Sequence, residues 1–87
     1  SLSFSITGTF PLSRTEIANQ LIAKGYQFNE NPIQTTSFIL IGEKAGSKAD
    51  KAQKYNIKTY NNREEIVKTF NIKLPEAQNK KTPTPVQ

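Results

Sequence analysis

The chain has 87 residues, with 12 Lys and Arg against 7 Asp and Glu, and neither cysteine nor histidine. That length supports one small domain with a core near the lower limit for folding without staples. The missing residue types exclude disulfides, thiolate metal sites and the commonest general base and metal ligand, so no metal or cofactor is expected and enzyme chemistry is disfavoured. A net charge of +5 with a pI near 9.6 favours polyanionic partners. No apolar run approaches the ~18 residues of a membrane span, and the N-terminus lacks a signal-peptide layout, which points to a cytoplasmic chain without membrane partners. Its start within a strand-like segment suggests a piece of a longer polypeptide.

Leu2 to Thr7 alternates Leu2, Phe4 and Ile6 with Ser3, Ser5 and Thr7, the period-2 pattern of a strand, and Gly8 ends it. Ser13-Arg14-Thr15-Glu16 has capping-box spacing, after which Ile17, Ala18, Leu21 and Ile22 share one helical face until Gly25. Tyr26 to Phe28 reads as a short second strand, and Asn29 to Thr36, with Asn31-Pro32 inside it, as a loop. The apolar run Phe38-Ile39-Leu40-Ile41 makes a buried third strand from Ser37 that stops at Gly42.

A loop to Gly46 follows, and then Ser47 and Asp50 at capping-box spacing open a helix to about Tyr55, closed by Asn56. The unpaired N–H groups of such a helix start, with Lys48 and Lys51 close behind, suit an anion such as phosphate. Lys58-Thr59-Tyr60 reads as a fourth strand, and Asn61 or Asn62 caps a last helix bearing Ile66, Val67 and Phe70. Strands alternating with helices imply an α/β domain with a parallel sheet and right-handed crossovers. From Lys73 the apolar pattern ends; the domain is expected over residues 1–72 and a disordered tail or linker over 73–87. The basicity reads as spread along the chain, with no obvious patch.

Thr7-Gly8-Thr9-Phe10, Ser13-Arg14-Thr15-Glu16, Gly25, Phe38 to Gly42 and Gly46-Ser47-Lys48-Ala49-Asp50-Lys51-Ala52 together resemble a BRCT domain. Within that family the chain looks most like the C-terminal module of bacterial NAD-dependent DNA ligases, with the large subunit of the eukaryotic clamp loader as a near relative. The resemblance covers residues 2 to about 72. It implies a four-stranded parallel sheet in the order 2-1-3-4, with the first and third helices on one face and the second on the other. There are two departures: Gly25-Tyr26 stands where the family usually has paired glycines, and Phe70 takes the place of a common tryptophan.

With that strand order, the switch point lies between the first and third strands, where ligands of open parallel sheets bind beyond the strands' carboxyl ends. The Thr7 hydroxyl can donate to a phosphate oxygen, and Gly8 allows close approach of its backbone. Arg14 and Lys48, each after an expected N-cap serine, sit where a helix dipole disfavours a cation by about 0.3–1 kcal/mol, a penalty that a bound anion reverses. The resemblance implies that the matching Thr-Gly pair and Lys hold phosphate, joined in the clamp-loader relative by an Arg. Thr7, Gly8, Arg14, Lys48 and Lys51 are therefore the candidate phosphate or DNA contacts.

The plainer readings are that Thr7-Gly8 merely ends a strand, that the cations are solvated, and that Lys51 pairs with a neighbouring carboxylate. The leading expectation is a non-catalytic, DNA-binding module of an NAD-dependent ligase. It would bind nicked or 5′-phosphorylated DNA without base specificity in a bacterial, nucleoid-associated setting. The alternatives are a module that recognises a phosphopeptide or protein partner, including other domains of its parent, and an architectural unit with an unused pocket.

Overall fold

The computed structural model describes residues 2–75. Four strands, β1 (Ser3–Thr7), β2 (Gln27–Phe28), β3 (Phe38–Ile41) and β4 (Lys58–Tyr60), pair in parallel in the order β2-β1-β3-β4. Helices α1 (Arg14–Ile22), α2 (Asp50–Lys54) and α3 (Arg63–Phe70) connect or follow them. The expected α/β fold with its strand order is therefore the one adopted, and it is consistent with a BRCT-like architecture. Among the described residues, no helix is long and apolar enough to cross a membrane.

Local chemistry sets the helix boundaries. Ser13 Oγ accepts from the Glu16 amide at 3.2 Å to start α1, and Asn62 Oδ1 accepts from the Glu65 amide at 3.0 Å to start α3. Asn71, in the left-handed conformation, ends α3, and Asn56, also at positive φ, turns the chain out of α2. The expected capping box at Ser47 and Asp50 does not form. Instead a 3-10 turn over Ser47–Ala49 leads into α2 without a side-chain cap bond. With the turn occupying Ser47–Ala49, the cap position of α2 falls on Ala49, whose side chain cannot accept a hydrogen bond.

Two clusters cover the two sides of the sheet. On one side Phe4, Ile6, Phe38 and Leu40 meet Ile17, Ala18 and Leu21 of α1 and Ile66 and Phe70 of α3. Phe70 fills the expected tryptophan position by stacking on Phe38, with ring centroids 4.7 Å apart. Tyr26, where a second glycine was the family norm, sets its ring edge-on against Phe38 and Phe70 at 5.5 and 5.8 Å, geometries that favour aromatic pairs. Ile39, Ala52 and Ile57 make a smaller cluster under α2.

All five residues of β1 are buried, so its sequence alternation does not separate core from solvent. It separates an apolar face from a hydrogen-bonded one. Ser5 Oγ donates to the Asn29 carbonyl at 2.8 Å and Ser3 Oγ to the Thr35 carbonyl at 3.3 Å, both in the β2–β3 loop that crosses this face. Thr36 Oγ1 ties the loop to itself, donating to Asn29 Oδ1 and accepting from the Ile33 amide. Leu2, expected in the strand, precedes it and is 55% exposed.

The packed chain also continues past the expected limit at residue 72. Leu74 is 4% exposed, the Gln20 side chain bonds both the amide and the carbonyl of Lys73, and Arg63 Nη1 donates to the Leu74 carbonyl at 2.6 Å. A single leucine after a lysine carries no periodicity, which is why the sequence pattern stops short of it. The rest of the expected tail, residues 76–87, lies outside the described residues.

Candidate functional site

Because every strand runs the same way, the carboxyl ends of β1, β2 and β3 and the start of α1 share one edge of the sheet. Two loops are joined there. The Gly42 amide donates to the Thr7 carbonyl at 2.8 Å, and Thr9 and Glu43 exchange backbone bonds of 2.7 and 3.0 Å in a short antiparallel bridge. Gly8 has φ +83°, and a Cβ there would lie 2.7 Å from the Gly42 carbonyl carbon; one on Gly42 would lie 2.4 Å from the Thr9 oxygen. Both glycines are thus required by the contact between the loops. The plainer reading of Gly8 accounts for its identity without a ligand.

Thr7 does not fit the plainer reading. It shares a sheet face with Ser5 and, across the pairing register, with Ile39 and Ile41, so it lies on the side covered by α2. It is 4% exposed, yet among the described residues its hydroxyl has no hydrogen-bond partner, whereas Ser3 and Ser5 on the same face each have one. A buried, unbonded hydroxyl costs about 1–3 kcal/mol and calls for a partner that the described residues do not supply.

The candidate cations come from two different elements. Lys48, half-buried in the turn before α2, extends Nζ to the Glu30 carbonyl at 3.3 Å. Arg14, exposed at the first position of α1, lines a cavity of about 280 Å³ together with Thr15, Ala18, Phe28 and Glu30. Glu30, just beyond β2, is therefore the common neighbour of both cations. Sequence reasoning missed it, because a lone glutamate in a loop carries no motif. Its carbonyl holds Lys48 through one long hydrogen bond that a charged ligand can displace.

Helix position affects the two cations differently. Arg14 does begin a nine-residue helix with Glu16 in its first turn, as expected. Lys48 precedes a five-residue helix, so the expected dipole penalty does not apply to it. Lys51, in the first turn of α2 and half-buried, has no ion-pair partner among the described residues, which leaves its expected pairing with a carboxylate unformed. Tyr26 and Tyr60 are both committed to the aromatic core, so they offer no base-stacking platform. Among the described residues, no group of His, Cys, Asp and Glu is placed to hold a metal ion.

No family model matches the chain. Its curated relatives are DNA ligases. It is 34% identical over 85 residues to the DNA ligase of Fervidobacterium nodosum, an alignment covering 94% of this chain and 12% of that protein. It is 42% identical over 59 residues to the DNA ligase of Helicobacter hepaticus (68% of this chain, 9% of that protein) and 40% over 67 residues to that of Prochlorococcus marinus (76% and 10%). The chain spans about a tenth of the length of these relatives. It is homologous to one short region of DNA ligases.

Proposed function

We propose that this chain is a non-catalytic, BRCT-like module of an NAD-dependent DNA ligase, corresponding to a C-terminal domain, which holds the backbone or 5′ phosphate of nicked or end-bearing DNA. The observation that supports the proposal is the buried Thr7 hydroxyl, which has no hydrogen-bond partner among the described residues, on a strand that ends at the sheet edge where α1 begins; Arg14 shares a cavity with Glu30, whose carbonyl accepts from Lys48. A hydroxyl, loop backbone and two cations suit a phosphate, and contacts of this kind position a protein on DNA without reading bases. Similarity to DNA ligases over most of the chain supports DNA as the source of that phosphate. The nucleophilic lysine for AMP transfer belongs to another part of the parent, whose remaining domains are the module's neighbours. In this reading the protein works in the bacterial cytoplasm, at the nucleoid.

The test is binding of the 87-residue chain to duplexes with 5′-phosphate or 5′-hydroxyl ends at low salt. The double variant Arg14→Ala/Lys48→Ala is expected to weaken binding to the phosphorylated duplex at least tenfold, about 1.4 kcal/mol, and to remove the preference for phosphate. Unchanged affinity in that variant overturns the assignment. Tighter binding to a phosphoserine peptide than to either duplex would move the site's ligand from DNA to protein.

A further inference from the structure

Outside the phosphate site, the most uneven feature of the molecule is its charge. Residues 44–58 contain Lys44, Lys48, Lys51, Lys54 and Lys58 against Asp50 alone, a net charge of +4. The other described residues contain Arg14, Lys24, Arg63, Lys68 and Lys73 against Glu16, Glu30, Glu43, Glu64 and Glu65, a net charge of zero. The spread read for the chain as a whole is therefore corrected by a count over segments: the whole excess of the described residues belongs to the α2 segment and its flanks.

The sheet gives that segment a direction. α2 follows β3 at the carboxyl edge and leads to β4, which starts at the opposite edge, so it runs down the sheet away from Thr7. Ala52 faces the sheet, buried against Ile39 and Ile57, while Lys51 is half-exposed and Lys54 exposed. Lys48, Lys51 and Lys54 recur every third residue, which keeps them on neighbouring parts of one helical surface. At helical rise they span about 9 Å. Consecutive phosphates of one strand advance about 3.4 Å along the duplex axis and lie farther apart along the strand itself, so the row matches about two consecutive phosphates.

Among the described residues the 44–58 segment itself exposes no large apolar side chain, whereas the centre of an interface between proteins is apolar. We infer that Lys51 and Lys54 continue from Lys48 as a track for the sugar–phosphate backbone, carrying one strand along α2 away from the phosphate held at Thr7. This rests on the reading of the sheet edge as a phosphate site and adds the path of the strand beyond it.

The experiment measures how the affinity of the 87-residue chain for a nicked, 5′-phosphorylated duplex depends on salt. Each phosphate contact contributes about 0.9 to the slope of log affinity against log salt. The variant Lys51→Gln/Lys54→Gln is expected to reduce that slope by about 2. Lys24→Gln/Lys68→Gln removes the same net charge from elements outside the segment and is expected to change the slope by less than about 0.5.

An unchanged slope in the α2 variant overturns the track, as does an equal fall in the control. If the unmodified chain shows no preference for 5′-phosphate ends, the sheet-edge reading fails instead. The difference between the two slopes then still decides whether α2 carries backbone.

Discussion

The two faces of the sheet solve the same problem with different materials. Toward α1 and α3, β1 and β3 present Phe4, Ile6, Phe38 and Leu40 to a cluster joined by stacked and edge-on rings. Toward α2, β1 presents Ser3, Ser5 and Thr7, and the space is closed by a hydrogen-bonded loop and a five-residue helix with one buried alanine. The first face can bury much area at about 25 cal/mol per Å², whereas the second exchanges water for internal bonds at a net gain of about 1 kcal/mol each. Stability is thereby concentrated on one side. The thin side is left with polar groups, close backbone approaches and lysines, the materials from which an anion site is made.

This contrast predicts unequal responses to substitution. Phe4→Ala removes a fully buried ring that contacts Tyr26, Phe28 and Phe38, and is expected to lower unfolding free energy by about 3–5 kcal/mol in urea denaturation. A loss under about 1 kcal/mol would mean that the aromatic side does not dominate. Gly42→Ala drives a methyl into the Thr9 carbonyl and should cost about 1–3 kcal/mol. Its signature is faster amide exchange at Thr9 and Glu43, whose mutual bonds hold the two loops together. Ser5→Ala leaves the Asn29 carbonyl without its 2.8 Å donor and is expected to cost about 1 kcal/mol. A cost comparable to that of Phe4→Ala would show that the hydrogen-bonded face is as important to stability as the apolar one.

Much of this organisation was legible beforehand. Every strand and helix was placed within a few residues, because glycines, asparagines and a capping serine punctuate the chain and apolar runs fill the intervals. What failed involved contacts distant in sequence. Leu74 joins the core through Gln20 and Arg63, and no local pattern announces such a clasp. The motif at Ser47 has capping-box spacing, but the tight exit from the Gly42–Gly46 loop makes a 3-10 turn there instead. Thr7, Gly8, Arg14 and Lys48 were read as one site from their motifs. Glu30, which lies between the two cations, was not, since its position depends on where the β2–β3 loop crosses the sheet.

The sequence by itself determined the succession of elements, the parallel arrangement and the residue types available for a phosphate, because hydrophobic period and turn chemistry act over a few residues. Only the tertiary structure decided that Thr7 is buried with no hydroxyl partner among the described residues, that Gly8 and Gly42 are needed by each other, and that Lys48 reaches the Glu30 carbonyl. Those facts depend on strand order, which brings together residues far apart in the chain.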